Sequence, residues 1–555
     1  MATSHLFDGR IIKLPGAYST IRGVASPTLS ITPWSKCLII NTDARTGWGG
    51  SIYGELTKGG DAIYRLRSLG QAQSFLKSGY LWNIMTPLFN PSRTGGLGAS
   101  ELYYANALTT TAAKMTPVFT TGSIEIKCRD EGPMGNAVIN ATTGKLVSGY
   151  AMSIDPSERG DPSKFVVRFW LGEFKGMHTD GLPFEDWEQN YTRPLVVAKS
   201  PEVKSIAEFV AWAQRNDDFN FGFVISEGWV DGPITNTDAV NNVLVKATGG
   251  TASYSSTGLL ELFDLMKSLD FNVILSTSAQ IDPADPPTDP WAMLSTGINN
   301  YLQGFVMNGT KYGKKYLAIP GVSTGNASDL IPNIAAARNW NSEYVWLIHG
   351  SPRITSGMSP SGFREFGSLY MTAAVVGRIL GLPPQVPGTF KDLAIDGLSG
   401  PIKEASRLLL PGKEDALDAG VLAVVYDEEL RYFTILRAIN TLQKNQTLQN
   451  EDGSTFSIQI SRICTQINTD LAINAKVEVF GGNTGANANT VSTERLRLWT
   501  ERFLQSKTAT PMQDNLILWA SNVNTERRGD SLWTTYTFGT NTEIAFAFFT
   551  GFSVT

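Results

Sequence analysis

The residue types that carry most protein chemistry are scarce in this chain: three histidines, His5, His178 and His349, and three cysteines, Cys37, Cys128 and Cys464. The cysteines lie far apart and form no C-x-x-C pair, so neither a disulfide framework nor a zinc knuckle is indicated, and a reducing compartment is the simplest reading. No H-E-x-x-H, G-x-x-x-x-G-K-[ST], G-x-S-x-G or strand-linked G-x-G-x-x-G motif is present. His349 is the best catalytic candidate. It follows the apolar run Val345 to Ile348 and precedes Gly350-Ser351, and α/β enzymes place catalytic groups at such strand ends. With no nucleophile elbow beside it, a histidine hydrogen-bonded at a strand end is the stronger reading. Glu185-Asp186 beside Trp187-Glu188 reads as a solvated acidic loop rather than a sugar site. Arg-Gly-Asp occurs at Arg159-Gly160-Asp161 and Arg528-Gly529-Asp530; between β-like runs, Gly and Asp serve turn chemistry. Lys311, Lys314 and Lys315 lead into a buried strand and are weak grounds for nucleic-acid binding. No catalytic, cofactor or metal residue is therefore assigned.

The elements that would position any site follow from apolar spacing. From about 201 onward helix and strand alternate. Ser205-Ile206-Ala207-Glu208 is a capping box, and Ile206, Phe209, Val210 and Ala213 recur at i, i+3, i+4 and i+7 on one helical face. Short apolar strands are predicted at Phe221 to Ile225, Phe271 to Leu275, Tyr316 to Ile319 and Tyr344 to Ile348, with a helix carrying Leu259, Leu262, Phe263 and Met266 and an Ala-rich helix among them. Such alternation implies a mainly parallel sheet covered on both faces. A helix from Ser361 to Leu380, with Leu369, Ala373, Val376 and Leu380 on one face, is stopped by Gly381-Leu382-Pro383-Pro384. Upstream, from about 110 to 200, β-like runs such as Ser123 to Cys128 and Phe165 to Trp170 predict a small, mostly β domain.

Beyond about 400 a second α/β unit is expected, with strands at Val421 to Tyr426, Tyr432 to Leu436 and Val477 to Phe480 and helices near 456 to 472 and 492 to 505. Ile460, Ile463, Ile467 and Leu471 stripe the first helix. In the second, Leu496, Trp499 and Phe503 share a face, leaving Glu494, Arg495, Arg497, Glu501 and Arg502 outside for a partner. Two β-like runs, Leu532 to Phe538 and Glu543 to Phe549, end the chain with no charge after Glu543. An apolar, β-prone end of this kind has to be paired with something. The stretch Leu14 to Gly23, punctuated by Pro and Gly, reads as an extended arm.

Composition bounds the class. The chain has 555 residues, of which 17 % are charged, with a formal net charge of −5; roughly 25 % charged is usual. The balance excludes a disordered charged tail protein and argues against a coat held by phosphate contacts. No signal-peptide h-region opens the chain, and no run approaches the ~18 apolar residues of a membrane span, so a protein made and kept in soluble form is expected. Much neutral surface is left for close contact with something.

Several stretches together resemble the tail sheath proteins of contractile-tailed bacteriophages and related contractile injection systems. Pro15-Gly16-Ala17-Tyr18-Ser19-Thr20-Ile21 is similar to the family's N-terminal Pro-Gly-Val-Tyr element, with Ala17 departing from it. Gly132-Pro133-Met134-Gly135-Asn136 resembles the Gly-x-x-Gly-Asn turn that opens an inserted β-rich domain. Ala373 to Leu380 followed by Pro383-Pro384, Thr434 to Leu442, and Ser461-Arg462-Ile463 resemble later segments in the same order.

The resemblance implies an α/β multidomain fold: an α/β sheath core with a β-rich inserted domain, a C-terminal α+β domain and extended N- and C-terminal strand-exchange arms. The divisions expected are an arm at 1–24, core at 25–110, outer domain at 111–200, core at 201–395, a tube-proximal domain at 396–540 and a terminal strand arm at 541–555. It further implies a structural subunit that polymerises as a helix around a tail tube and contracts to drive it through a cell envelope, without catalysis or cofactor. Expected partners are other copies of the chain, the tail tube protein, and baseplate and tail terminator proteins, with no direct nucleic acid and no membrane insertion. The expected location is a virion tail assembled in the bacterial host cytoplasm. Pro15, Gly16, Tyr18 and Ile21 would serve the N-terminal arm, Ile544, Phe546, Phe548 and Phe549 the C-terminal arm, and Arg495, Arg497 and Arg502 the tube contact. The competing functions are an α/β hydrolase-like enzyme using His349 and a cell-surface or tail adhesin using the Arg-Gly-Asp turns.

Overall fold

A computed structural model of the chain describes residues 5–7, 10–12, 35–41, 63–76, 80–106, 108–131, 135–139, 146–171, 195–254, 265–267, 269–277, 302, 315–322, 330–355, 363–398, 410–442, 456–475, 493–508, 516–528 and 531–540. Pro15, Gly16, Tyr18, Ile21, Ile544, Phe546, Phe548, Phe549, the strand expected at 477–480 and most of the helix expected around 259–266 lie outside the described residues.

A hairpin of β1 (His5–Phe7) and β2 (Arg10–Ile12) falls within the expected N-terminal arm. β3 (Lys36–Asn41), β4 (Ile63–Leu66), α1 (Leu69–Leu76), α2 (Tyr80–Phe89) and β5 (Glu101–Asn106) follow. The chain then makes an inserted β-rich domain from β6 (Leu108–Met115), β7 (Ile126–Glu131), β8 (Val138–Ile139), β9 (Leu146–Ser148), β10 (Tyr150–Pro156), β11 (Phe165–Leu171), β12 (Leu195–Lys199), α3 (Ile206–Ala213), α4 (Asp217–Gly222), β13 (Phe223–Ile225), α5 (Asn236–Asn241), β14 (Val245–Lys246) and β15 (Thr251–Tyr254). It returns through β16 (Val273–Ser276), β17 (Tyr316–Pro320), α6 (Leu330–Trp340) and β18 (Val345–His349). Three short strands, β19 (Pro352–Thr355), β20 (Phe363–Glu365) and β21 (Gly397–Leu398), bracket α7 (Ser368–Leu380) and form a small sheet. α8 (Leu410–Ala419), β22 (Val421–Asp427) and β23 (Tyr432–Ile435) precede a C-terminal layer of α9 (Ile458–Asn474), α10 (Thr493–Ser506), β24 (Trp519–Arg528) and β25 (Ser531–Gly539).

The main sheet has the order β23-β22-β18-β17-β16-β3-β5-β4. Every pairing from β22 to β5 is parallel, and β23 and β4 close the edges antiparallel. Its central strands are apolar at nearly every position because both faces are covered. Alternate residues feed two cores: Cys37, Ile39, Val273, Leu275, Tyr316, Ala318, Trp346 and Ile348 on one face, with α2 and α7, and Leu38, Ile40, Ile274, Leu317, Ile319, Val345 and Leu347 on the other, with α6 and α8. The expected parallel α/β core is thus present. The strands expected to begin a separate C-terminal unit, Val421 to Tyr426 and Tyr432 to Leu436, instead complete this sheet, since the run Val421 to Val424 is buried and pairs alongside β18.

α7 is buried on all sides, all thirteen residues of it, where the sequence led us to expect one apolar face. It is pressed between the sheet and α2, and at Gly377 a Cβ would sit 2.4 Å from the Pro87 carbonyl oxygen. Only glycine allows that approach.

The inserted domain consists chiefly of two four-stranded antiparallel sheets, β12-β11-β10-β14 and β13-β7-β6-β15, around one core. Phe169 lies at that core's centre, its ring 4.7 Å from Phe223 and 5.1 Å from Phe219. The helix with Ile206, Phe209, Val210 and Ala213 on one face forms as expected, with Ser205 accepting from the Glu208 amide. It belongs, however, to this core and not to the main sheet, as does β13, which pairs with β7. The division expected at 200 therefore cuts through a packed unit. Periodicity identifies a helix but not the core it faces. Among the described residues no helix is long and apolar enough to cross a membrane.

Candidate functional site

His349 ends β18 at the carboxyl edge of the main sheet, where an α/β enzyme would carry a catalytic group. Its Nδ1 lies 2.8 Å from the Asn333 amide nitrogen. Asn333, on α6, also accepts from the Val322 amide at 2.7 Å and donates to the Val322 carbonyl at 2.9 Å. One buried asparagine thus staples the turn after β17 to the end of β18, with His349 accepting its second N–H. This is a structural arrangement in which the histidine helps hold a turn. No group of three or more His, Cys, Asp or Glu side chains placed to hold a metal occurs among the described residues.

The first Arg-Gly-Asp tripeptide serves a turn. Gly160 takes φ +76°, and the Asp161 carboxylate accepts from the Ser163 amide at 3.0 Å and its hydroxyl at 2.7 Å. Those two bonds, ahead of the nearby Lys164, hold the carboxyl at about 2. In the second, Gly529 and Asp530 lie outside the described residues; Arg528 pairs with Ser531 at the end of the β24–β25 ladder, and its guanidinium lies over the Trp533 ring at 4.9 Å.

The C-terminal layer offers the surface with most to attract a partner. Inward residues Ala520, Val523, Tyr536 and Phe538 of the hairpin pack with Phe503 and Leu504 of α10 and with Ile463, Ile467 and Leu471 of α9. Alternation then puts Trp519, Ser521, Asn524, Glu526, Trp533, Thr535 and Thr537 on the outer face. Trp519 and Trp533 remain 49 % and 55 % exposed. This two-stranded sheet has only its own two strands among the described residues, so both outer edges present backbone groups able to pair with an added strand.

Of the cations expected on α10, Arg495 and Arg502 are exposed. Arg497 is braced between Glu494 at 2.7 Å and Glu501 at 3.2 Å, and its hydrogen bond holds the Glu494 carboxyl below the usual range. The buried stripe of α10 is Leu496, Thr500 and Leu504. Trp499 is only half-buried, stacked on Phe503 at 5.4 Å. The expected face is therefore rotated slightly, and Arg497 and Glu501 line a cleft of about 200 Å³ against Ala520, Ser521, Asn522 and Val523. Here a β-bulge breaks the ladder between Ser521 and Asn524, and Asn522 takes φ 54°. The cleft is polar and smaller than the few hundred Å³ of a cofactor site; it suits a side chain.

Sequence reasoning missed a buried knot at the end of α7. Arg378 donates to Asp392 at 2.8 Å, and the same carboxylate accepts from the Ser92 hydroxyl at 2.6 Å, the Thr94 amide at 2.9 Å and the Thr94 hydroxyl at 3.1 Å. Burial pushes the Asp392 carboxyl up, but Ser92, Thr94 and Arg378 outweigh it and hold it below the ordinary range. Only the position of an arginine directly after Gly377 in an otherwise apolar helix signalled that a partner was needed.

Over most of its length the structure is similar to that of a sheath tail protein from Desulfitobacterium hafniense. The TM-score is 0.50, with 13 % identity over 94 % of this chain and 99 % of that one. A sheath tail protein from Listeria innocua aligns with a TM-score of 0.43 and 12 % identity over 92 % and 98 % of the two chains. The PVC sheath complex of an extracellular contractile injection system, in its contracted state, aligns at 0.35 and 10 % over 54 % and 76 %. No family profile matches the sequence, and no curated protein does. The first likeness runs end to end. The chain has the fold of a sheath tail protein.

Proposed function

We propose that the chain is the structural subunit of a contractile sheath, polymerising as a helix around a tail tube and shortening to drive that tube through a target envelope. The observation that carries this reading is the end-to-end likeness to the Desulfitobacterium hafniense sheath tail protein. A fold hosts many functions, so the reading also draws on this chain's own surfaces. Among the described residues the β24–β25 hairpin has no third strand, and it is followed in sequence by Glu543 to Phe549, an apolar β-prone run that needs a partner sheet. Added strands tie subunits through backbone hydrogen bonds, each contributing about 0.5–1.5 kcal/mol net. Ile544, Phe546, Phe548 and Phe549 supply one arm and Pro15, Gly16, Tyr18 and Ile21 the other. Arg495, Arg497 and Arg502 on α10 face the tube protein, with Arg497 held in place by its two glutamates. Baseplate and terminator proteins bound the two ends, and the particle assembles in a bacterial host as a virion tail or an injection device. The role needs no cofactor and no catalysis, because the energy resides in interfaces with two packings.

Electron microscopy of the purified full-length protein tests the reading: tubes or stacked rings are expected, and monodisperse monomers at high concentration would overturn it. Removing residues 541–555 abolishes polymerisation while circular dichroism and melting stay close to those of the intact chain. A truncated protein that still forms tubes removes the C-terminal arm from the account.

A further inference from the structure

The two sides of α9 are chemically different. Toward the hairpin it presents Ile463, Ile467 and Leu471 to an apolar cluster. Toward the α/β core it buries Gln459, Ser461, Arg462 and Thr465. Tyr316 on β17 shares hydrogen bonds with the Ser461 hydroxyl at 2.8 Å and the Thr465 hydroxyl at 2.9 Å. Gln459 donates to the Gln385 carbonyl at 2.6 Å, and Arg462 donates to the Leu382 carbonyl, both in the loop that ends α7. The first turn is fixed differently. The Ile458 side chain joins the main core, and backbone bonds run from the Ile458 amide to the Ala438 carbonyl at 3.2 Å and from the Asn440 amide to the Phe456 carbonyl at 2.9 Å.

We propose that the seam between α9 and the α/β core is a hydrogen-bonded joint, hinged at Phe456 to Ile458, at which α9, α10 and the β24–β25 hairpin swing away from the core as one body. Closing an apolar seam expels water from surface that water solvates poorly, so opening it is costly. Closing this one withdraws a guanidinium and several neutral polar groups from water, and opening returns them to it. The net preference for the closed seam is therefore small. Directional bonds also make it a two-position contact rather than a greasy slide. Apolar packing within the C-terminal layer keeps that layer intact as it moves. The inference stands on the free chain and holds whether or not the chain forms a sheath.

Cys464 is a built-in reporter: it lies on α9, partly exposed, and near enough to Glu343 of the core for that carboxylate to add to burial in pushing its thiol up to about 11. Cys37 and Cys128 are buried in the main core and in the inserted domain. The experiment is iodoacetamide alkylation of the full-length monomer under native conditions, with the three cysteines followed separately by mass spectrometry. Tyr316→Phe, and separately Ser461→Ala with Thr465→Val, each remove two hydrogen bonds and raise the Cys464 rate at least about five-fold, the factor that losing even one hydrogen bond confers, while Cys37 and Cys128 keep their rates. Arg462→Met, which removes the buried charge, slows Cys464. An unchanged Cys464 rate in both hydroxyl variants overturns the joint, as does a rise matched by Cys37, which would mean global opening.

Discussion

At the residue scale, the groups with most leverage on stability are polar ones that the fold has enclosed. Asp392→Ala leaves the Arg378 guanidinium buried among Ser92 and Thr94 donors with no carboxylate to receive them. Breaking one partner of a buried pair costs about 3–5 kcal/mol, to be read from chemical denaturation; a loss below about 1 kcal/mol would mean water compensates the site. Because the folded chain holds the Asp392 carboxyl low, its contribution is present above the unfolded value of about 4 and disappears as pH falls through the folded one. The stability gap between the wild type and Asp392→Asn therefore narrows as pH is lowered below about 4. His349 contrasts with it. His349→Ala removes one bond to Asn333, which keeps its two bonds to Val322, and about 1 kcal/mol is expected, with tube formation unaffected. A His349→Ala chain that folds normally yet loses function altogether would return the enzyme reading to consideration.

At the scale of elements, α7 and α2 set the tightest constraint. Gly377→Ala gains up to about 1 kcal/mol of helix propensity, but its Cβ meets the backbone oxygens of Pro87 and Leu88 at 2.4 and 2.7 Å. Backbone cannot rotate away, so overpacking of about 1–3 kcal/mol wins and the melting temperature falls; a rise would show that α2 yields. The parallel strands were legible because burial on both faces leaves a bare apolar run, as in Val345 to Ile348 and Tyr316 to Ile319. Both lie where expected. The helix at Ile206 was legible as a helix, yet its owner was not: Phe209 would suit either core, and only the cluster of Phe169, Phe219 and Phe223 decides it. Val421 to Val424 likewise read correctly as a strand and wrongly as the start of a new unit, since pairing to β18 is a contact about seventy residues away in sequence. Of the surfaces suggested for partners, α10 was legible from its charge pattern, whereas the outer Trp519 and Trp533 face appears only once the hairpin register is known.

At the scale of the whole molecule, the β-rich domain is inserted through neighbouring strands. Leu108 faces Tyr254 in an antiparallel pair, and the Thr111 and Thr251 hydroxyls bond at 2.7 Å, so the two ends of the insertion are about 5 Å apart. With its own core of aromatic and aliphatic side chains and roughly 150 residues, it has the size of a self-sufficient domain. Residues 108–254 produced alone should melt cooperatively with a β-rich circular dichroism spectrum. The remaining chain, with that segment replaced by a short Gly-Ser turn between Asn106 and the residue after Tyr254, should keep the main sheet, whose β3, β5 and β16 need nothing from the insertion for their pairing. The fragment 111–200 makes the comparison sharp. It lacks Phe209, Phe219 and Phe223 and β13, which pairs with the other edge of β7, so it should remain unfolded although it contains most of the domain's strands. If 111–200 folds as well as 108–254, the helices after residue 200 are accessory and the domain ends earlier than its packing indicates. If instead 108–254 fails while the shortened chain folds, the insertion depends on the core for its structure. Should both halves behave as expected, tube formation by the shortened chain then asks whether the inserted domain takes any part in assembly, and the placement of the proposed strand-exchange hairpin near the C-terminus, outside the insertion, predicts that it does not.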